Sequence, residues 1–187
     1  DVDDFSNAVP DDVFEKIVAL IRVSTPYTGM IMSTRESQSM RERGLALGIS
    51  QISGGSRTSV GGYVEEEKPE DNSAQFDTSD QRTLNEIVDW LLELGYIPSF
   101  CTACYRAGRT GDRFMELAKT GEIQNCCQPN ALMTLNEYIL DYGSEKTKAH
   151  GKKVIQEQMD VIENKDVQKK AAQYIAQMKD GERDFRF

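Results

Sequence analysis

The sequence predicts an α/β first half followed by an all-helical second half. Two short apolar segments, TGMIMS and ISQIS, flank a helical segment. Strand, helix and strand over so few residues form one βαβ unit, which implies a parallel sheet with a right-handed crossover. Beyond residue 98 the apolar residues repeat only at helical spacing. We therefore expect two domains, 1–97 and 98–187, in this chain of 187 residues.

The first half should open with a helix. PDDVFEKIVALIRV has Pro10 near its first turn and acidic residues where the helix dipole favours them. Its apolar residues fall on one face: Val13, Ile17, Leu20 and Ile21. After the first strand, a second helix is expected from Glu36 to Leu47, with Gly48 as its stop.

A loop, GGSRTSVGGY, and an acidic stretch, EEEKPEDNS, follow the second strand. The acidic stretch is expected to be solvated and mobile. Thr78 and Gln81 have the spacing of a capping box ahead of a helix that should end at Gly95. IPSF is then expected to be one more strand.

The second half should be helical beyond the cysteines, with NCCQPN expected in a loop. Thr134 and Glu137 have the spacing of a second capping box. A long charged segment from about Glu145 to Lys179 carries apolar residues at helical spacing.

Composition excludes several classes of protein. The net charge of −9 argues against nucleic-acid binding, which needs a surplus of Lys and Arg. The sequence has neither an apolar run of about 20 residues nor a basic-then-apolar signal segment, so a membrane role is not expected and we expect a cytoplasmic protein. In a reducing cytosol, four clustered cysteines predict metal ligands or redox groups better than disulfides.

Cys101, Cys104 and Cys127 have the spacing Cys-x2-Cys-x22-Cys, and three kinds of site compete for them. A zinc site would take a fourth ligand from Cys126 or His150. A thioredoxin-like pair would use CTAC but leaves the CC pair unexplained. An iron–sulfur cluster on three thiolates keeps one iron open. Spacing alone leaves zinc and cluster open.

Arginines lie in two segments of interest, the loop after the second strand and the segment after CTAC. Arg57, among the hydroxyl side chains of ISGGSRTSVGGY, suits a carboxylate, since a guanidinium binds a carboxylate in a two-pronged fork. Taken by itself, a solvated turn with an exposed arginine is slightly favoured. Arg106 and Arg109, just after CTAC, are candidates to offset the negative charge of a thiolate-bound cluster, or are surface arginines.

CTACYRAGRTGDRF and NCCQPNALMTL closely resemble the C-terminal region of the HydG family, the radical S-adenosylmethionine (SAM) tyrosine lyases that mature FeFe hydrogenases. STRES and ISGGSRTSVGGY look like the final strands of that family's barrel. The thiamine-pathway tyrosine lyase ThiH has related forms of both, but it is not expected to carry CTAC and NCCQPN.

The resemblance implies a (β/α)8 barrel followed by a helical C-terminal domain. Residues 1–97 would then be the last strands and helices of the barrel, and 98–187 the helical domain. In the family, a 4Fe–4S cluster cleaves SAM, and the radical cleaves tyrosine to p-cresol and dehydroglycine. A second, auxiliary cluster converts that fragment to CO and cyanide, which are delivered to a hydrogenase maturation scaffold protein.

Motif by motif, the resemblance implies roles for eight residues. The auxiliary 4Fe–4S cluster, with room for an extra iron, would be held by Cys101, Cys104 and Cys127. Arg106 and Arg109 would lie around the cluster. The tyrosine pocket would include Ser56, Arg57 and Thr58. No catalytic residue is assigned.

The sequence also departs from the family. It contains no Cys-x3-Cys-x2-Cys motif, so we expect the C-terminal portion of a longer enzyme, inactive towards SAM and tyrosine by itself. An unpaired parallel strand edge predicts that the chain can dimerise. The alternative function is a non-catalytic zinc- or iron–sulfur-binding interaction module.

Overall fold

The computed structural model describes residues 8–64 and 74–187, and their fold is mostly helical with one two-stranded parallel sheet. The helices are α1 Asp11–Ser24, α2 Gln38–Ala46, α3 Leu84–Glu93, α4 Ala103–Arg106, α5 Gly111–Thr120, α6 Gln124–Asp141, α7 Glu145–Asp160 and α8 Lys165–Lys179. The strands are β1 Ile31–Met32 and β2 Gln51–Ile52.

The chain divides into two compact units, Asp1–Leu84 and Asn85–Phe187. The acidic stretch EEEKPEDNS, predicted to be mobile, lies outside the described residues.

The βαβ prediction is confirmed in the first unit. β1 pairs with β2 in parallel, with Ile31 opposite Gln51, and α2 connects the two strands. The predicted stop of α2 is confirmed too, because Gly48 has a φ of +97°, a conformation that favours glycine. The small core under the sheet consists of Val18, Met32 and Ile49.

The predicted helix α1 is confirmed, but a different face of it packs on the core. Val18 is buried and Phe14 is half-buried against Met32 and Ile49. The four apolar residues predicted to share a face, Val13, Ile17, Leu20 and Ile21, remain exposed, with Leu20 the most exposed at 67%.

A buried ion pair joins the start of α2 to the segment before α3. Arg41 is fully buried and donates hydrogen bonds to the Asp80 carboxylate and to the main-chain oxygen of Ser53. Arg82 also donates to Asp80, at 2.9 Å and 2.6 Å. The main-chain N–H of Asp80 donates to the oxygen of Thr34 at 3.0 Å. Asp80 thereby holds its segment in a non-helical conformation.

This network explains why the predicted capping box at Thr78 and Gln81 is wrong. The helix begins only at Leu84, several residues beyond that box. The side chain that fixes this segment is Asp80, and its partner Arg41 lies 39 residues away in the sequence.

The second unit is a helical assembly around α6. Leu132, Leu135 and Ile139 are completely buried, and α7 and α8 pack against the same helix. The long charged segment is confirmed as helical, in the two helices α7 and α8. The side chain of Asn164, which directly precedes α8, accepts hydrogen bonds from N–H groups in the first turn of that helix.

α6 corrects two expectations about the second half. It runs without interruption through Pro129, so NCCQPN is helical and not a loop. Thr134 and Glu137 lie inside this helix and do not form a capping box. The proline removes one N–H donor, and the burial of the apolar face of α6 outweighs that loss, since packing supplies most helix stability in proteins.

IPSF is not a strand. Phe100 stacks on Tyr138 of α6, with ring centroids 4.9 Å apart, and its N–H donates to the Thr134 hydroxyl at 3.3 Å. Side-chain contacts with a helix thus replace the expected strand pairing. Among the described residues, no helix is long and apolar enough to cross a membrane.

Candidate metal centre

All four cysteines of the chain lie in the second unit and carry free thiols. Cys101 precedes the short helix α4, Cys104 lies within it, and Cys126 and Cys127 lie in the first turn of α6. Cys127 is exposed and the other three are half-buried.

The chain turns back sharply after α4. Gly108 has a φ of +62°, which lets the N–H of Arg109 return and donate to the oxygen of Cys104 at 2.8 Å. The turn therefore fixes the backbone of Arg109 directly beside the Cys-x2-Cys motif.

Two sulfur atoms receive hydrogen bonds. The N–H of Ala103 donates to Sγ of Cys101 at 3.4 Å, and Nη1 of Arg109 donates to Sγ of Cys126 at 3.1 Å. Both donors therefore orient cysteine sulfurs, which bind metals as thiolates.

The electrostatics of Cys127 show that the four sulfurs form one group. Burial, together with the nearby sulfurs of Cys104, Cys101 and Cys126, raises the pKa of Cys127 to about 11. Arg109 acts in the opposite direction and lowers the pKa of the same thiol. The cysteines and this arginine are therefore close enough to interact electrostatically.

The spacing of the sulfur atoms is wider than a single zinc ion requires. Thiolates around one zinc lie about 2.3 Å from the metal, which puts the sulfurs about 3.8 Å apart. In the part of the chain that the structure describes, which includes every cysteine, no three cysteine sulfurs lie within 4.8 Å of one another. A cluster accommodates wider spacing, because each thiolate binds a different iron.

His150 does not accompany the cysteines as a metal ligand. Its Nδ1 lies 2.9 Å from Oδ1 of Asp89, and these two residues form a close group with Glu93. The ammonium group of Lys146 lies 2.6 Å from the Asp89 carboxylate and 2.7 Å from that of Glu93. A cation of the chain therefore already offsets part of the negative charge of this group, and His150 is held by its contact with Asp89.

The loop predicted to bind a carboxylate lies in the first unit, directly after β2. Nη1 of Arg57 donates to the oxygen of Gln81 at 3.4 Å, and its N–H donates to the hydroxyl of Tyr63 at 3.2 Å. The hydroxyl of Thr58 donates to the oxygen of Phe76 at 2.8 Å. These contacts hold the loop, in which Ser56 is half-buried.

The sequence profile of the Biotin and Thiamin Synthesis associated domain (BATS) matches residues 3–97. The chain belongs to the BATS family. This match covers the first half of the chain, and solved structures extend the likeness to the cysteines.

Two solved structures of HydG proteins are similar to the chain, which confirms the predicted resemblance. One, described as HydG, a maturase of the [FeFe]-hydrogenase, is 49% identical, with a TM-score of 0.92 over 100% of this chain and 40% of that one. The other, the FeFe-hydrogenase maturase HydG from Carboxydothermus hydrogenoformans, is 36% identical, with a TM-score of 0.64 over 91% of this chain and 35% of that one. A search of curated proteins returned no significant match. The chain thus spans about two fifths of the length of the first HydG protein.

The donor set fits the iron–sulfur group that the resemblance to HydG proteins implies. Soft thiolates are the usual ligands of such clusters, and three of them leave one iron open. Cys101, Cys104 and Cys127 have the motif spacing, and the N–H···S bond to Cys101 is of the kind that tunes clusters. The remaining cysteine, Cys126, is the one paired with Arg109.

Sequence reasoning missed one segment at this centre, residues 182–187. Both predicted arginines contact it: Arg106 pairs with Asp184, and Nη2 of Arg109 donates to the main-chain oxygen of Phe187 at 2.6 Å. The only signal in the sequence is the mixture of aromatic and charged residues in ERDFRF, which carries no spacing rule.

Proposed function

We propose that the second unit binds an auxiliary iron–sulfur cluster in a HydG-type tyrosine lyase. The observation that supports it most is the convergence of all four cysteines, from the segment at α4 and from the start of α6, close enough for their thiols to interact electrostatically. The likeness to HydG proteins over the whole chain supports the same assignment.

In this proposal Cys101, Cys104 and Cys127 are the thiolate ligands. A cluster bound by these three thiolates would leave one iron open, with room for an extra iron, and would supply the site for the CO and cyanide chemistry. The backbone N–H of Ala103 donates a hydrogen bond to the sulfur of Cys101 and helps to orient it. The Cys127 thiol must lose its proton on binding, since its pKa of about 11 keeps it protonated at neutral pH.

Arg106 and Arg109 supply positive charge beside the thiolates. Arg109 directs one nitrogen at Cys126 and lowers the pKa of Cys127, so its charge acts on the ligand side of the centre. Arg106 is two residues after the ligand Cys104 and is held by Asp184. A cluster on three thiolates carries net negative charge, which both guanidinium groups offset.

Ser56, Arg57 and Thr58 are proposed to bind the tyrosine substrate. They follow β2, and the C-terminal ends of parallel strands are where barrel enzymes place their active sites. Arg57 would bind the carboxylate of tyrosine in a two-pronged fork. In this proposal β1, α2 and β2 belong to the end of a (β/α)8 barrel.

The remaining components belong to the complete enzyme. These are SAM, a second 4Fe–4S cluster that cleaves it, and a hydrogenase maturation scaffold protein that receives the product. The complete enzyme is proposed to be cytoplasmic. The 187-residue chain by itself is proposed to be inactive and able to pair with a second copy along its strand edge.

The complete enzyme carrying Cys104→Ala tests this function. We expect p-cresol formation to persist, because tyrosine cleavage uses the other cluster, while CO and cyanide formation falls to background. Cys126→Ala is the matched control and should retain all three products. Full CO and cyanide formation by the Cys104→Ala enzyme would contradict the assignment.

A further inference from the structure

Residues 182–187, which we call the return segment, run back from the end of α8 along α6. The N–H of Asp184 donates to Oε1 of Glu137 at 2.7 Å, and the N–H of Phe187 donates to Oδ1 of Asn130 at 2.9 Å. The Phe185 ring stacks on that of Tyr174, with centroids 4.4 Å apart. Main-chain and side-chain contacts thus fasten the segment to two helices.

The same segment contacts both arginines of the Cys-x2-Cys turn. Nη2 of Arg106 donates to Oδ2 of Asp184 at 2.8 Å, in a two-pronged ion pair. Arg109 uses its two nitrogens on different partners, Cys126 at 3.1 Å and the Phe187 oxygen at 2.6 Å. Its guanidinium therefore links the return segment directly to a sulfur of the metal centre.

Asp184 adopts a backbone conformation that its neighbours must maintain. Its φ of +68° is the one positive value among the described residues that are not glycine. A residue keeps such a strained backbone conformation only where several surrounding contacts hold it, and such residues cluster at functional sites. Here the contacts are the N–H bond to Glu137 and the ion pairs with Arg106 and Arg186.

A cavity of about 120 Å³ lies between the return segment and the cysteine turn. Cys101 and Thr102 line one side, Asn130 of α6 lines another, and Asp184 and Arg186 line the side of the return segment. The return segment therefore lies over part of a space that reaches one of the proposed ligand cysteines.

We propose that the return segment is a positioning element of the metal centre, which holds Arg109 against Cys126 and covers Cys101. The inference rests on the proposed function of the cysteines. Asp184 is a positioning residue, because it acts on the centre through Arg106 and not by touching sulfur.

Two consequences follow from this arrangement. A positive charge fixed beside a cluster stabilises its reduced, more negative form and so raises its reduction potential. A covered cavity also limits the access of water and chelators to the thiolates. Release of the segment should therefore lower the reduction potential of the bound cluster and speed the loss of iron.

Two variants of the 187-residue chain test the inference. Asp184→Asn removes the charge but keeps a side chain that tolerates positive φ. A second variant replaces residues 184–187 with Gly-Ser-Gly-Ser, which removes every side-chain contact at these positions without shortening the chain. Glu93→Gln is the control, because it breaks an exposed ion pair in the same unit that does not touch the segment.

The first readout uses the iron-loaded chain. Iron release to a chelator should be several-fold faster in Asp184→Asn and faster still in the Gly-Ser variant, with Glu93→Gln like the unsubstituted chain. The reduction potential, followed by EPR, should move to more negative values in the Gly-Ser variant, which loses Asp184 and Arg186 together and so keeps the net charge of the chain. Unchanged release and potential in the Gly-Ser variant would overturn the inference.

The second readout needs no iron. Hydrogen exchange of the iron-free chain should be faster at the amides of Ala107 and Arg109, whose bonds to Ala103 and Cys104 form the cysteine turn. Unchanged exchange there in the Gly-Ser variant would also overturn the inference. Failure of the proposed function gives a different result, because the unsubstituted chain would then bind no cluster while the exchange difference remained.

Discussion

Arg109 donates a hydrogen bond to the Sγ of Cys126 at 3.1 Å. Cys126 is the one cysteine that the proposed cluster does not use, and it adjoins the proposed ligand Cys127. Arg109 therefore lies beside the proposed ligand cysteines and contacts a sulfur that does not bind the cluster. Its backbone is fixed by the bond to Cys104, so the position is set from both sides of the cysteine motif.

Arg109→Gln should lower the reduction potential of the bound cluster. The variant keeps hydrogen-bonding capacity but removes the positive charge that acts on the thiolates. An EPR-monitored redox titration of the loaded chain measures the change. Arg113→Gln is the control, since Arg113 is an exposed arginine whose bond to the Ala107 oxygen is long, at 3.5 Å. Equal potentials in the two variants would show that Arg109 does not act on the cluster.

The thiol of Cys127 should react unusually slowly in the iron-free chain. Its pKa is raised to about 11, so at pH 8 far less thiolate is present than in the unfolded chain. Allowing for the greater nucleophilicity of a more basic thiolate, we expect iodoacetamide to react roughly tenfold more slowly than after unfolding in urea.

Mass spectrometry of the Cys126→Ser variant isolates this reaction, because Cys127 is then the single thiol of its peptide. The alkylation rate of the folded chain should keep rising as the pH approaches 11, whereas that of the unfolded chain should level off near pH 9. A folded-state rate that levels off near pH 9 would contradict the raised pKa of this thiol.

Asp80→Asn should strongly destabilise the first unit. The Arg41 side chain is completely buried, and Asp80→Asn removes the negative charge that pairs with it; breaking a buried ion pair from one side costs about 3 kcal/mol or more. Hydrogen exchange of α2 at increasing urea concentration measures this change. Asp12→Asn, which removes an exposed ion pair with Lys16, should change the stability by less than about 1 kcal/mol. Similar stabilities of the two variants would contradict the predicted role of the buried pair.

The stability of the first unit should also fall at acidic pH. Burial raises the pKa of Asp80, but hydrogen bonds from Arg82 and the charges of Arg41 and Arg82 outweigh it, and the net shift is downward. A depressed pKa in the folded state stabilises the fold above the unfolded pKa of about 3.9, and this contribution is lost as the pH falls below that value. Urea unfolding between pH 6 and pH 2 should show this loss, and Asp80→Asn should show less of it.

Local sequence patterns predicted the helices better than their boundaries. The βαβ unit, α1 and the stop at Gly48 follow from periodicity and glycine chemistry within a few residues. Both capping boxes failed because their spacing is a local rule that distant contacts override. The Asp80 segment is held by Arg41, 39 residues away. Thr134 lies in the middle of a helix that continues through Pro129.

The cysteines of the metal centre could be found from spacing, whereas their surroundings could not. Cys101, Cys104 and Cys127 lie within 27 positions of one another and follow a motif. The return segment meets the cysteine turn through pairs 78 residues apart, such as Arg106 with Asp184. No periodicity or motif encodes such a pair, because it forms only after α6, α7 and α8 have packed.

Iron, sulfide and zinc content after anaerobic reconstitution tests the central claim most directly. The unsubstituted chain should contain about four irons and four sulfides and give an EPR signal on reduction, and Cys104→Ala should lose both. Cys126→Ser should keep both. One zinc per chain without sulfide would contradict the cluster assignment and would favour a zinc-binding interaction module.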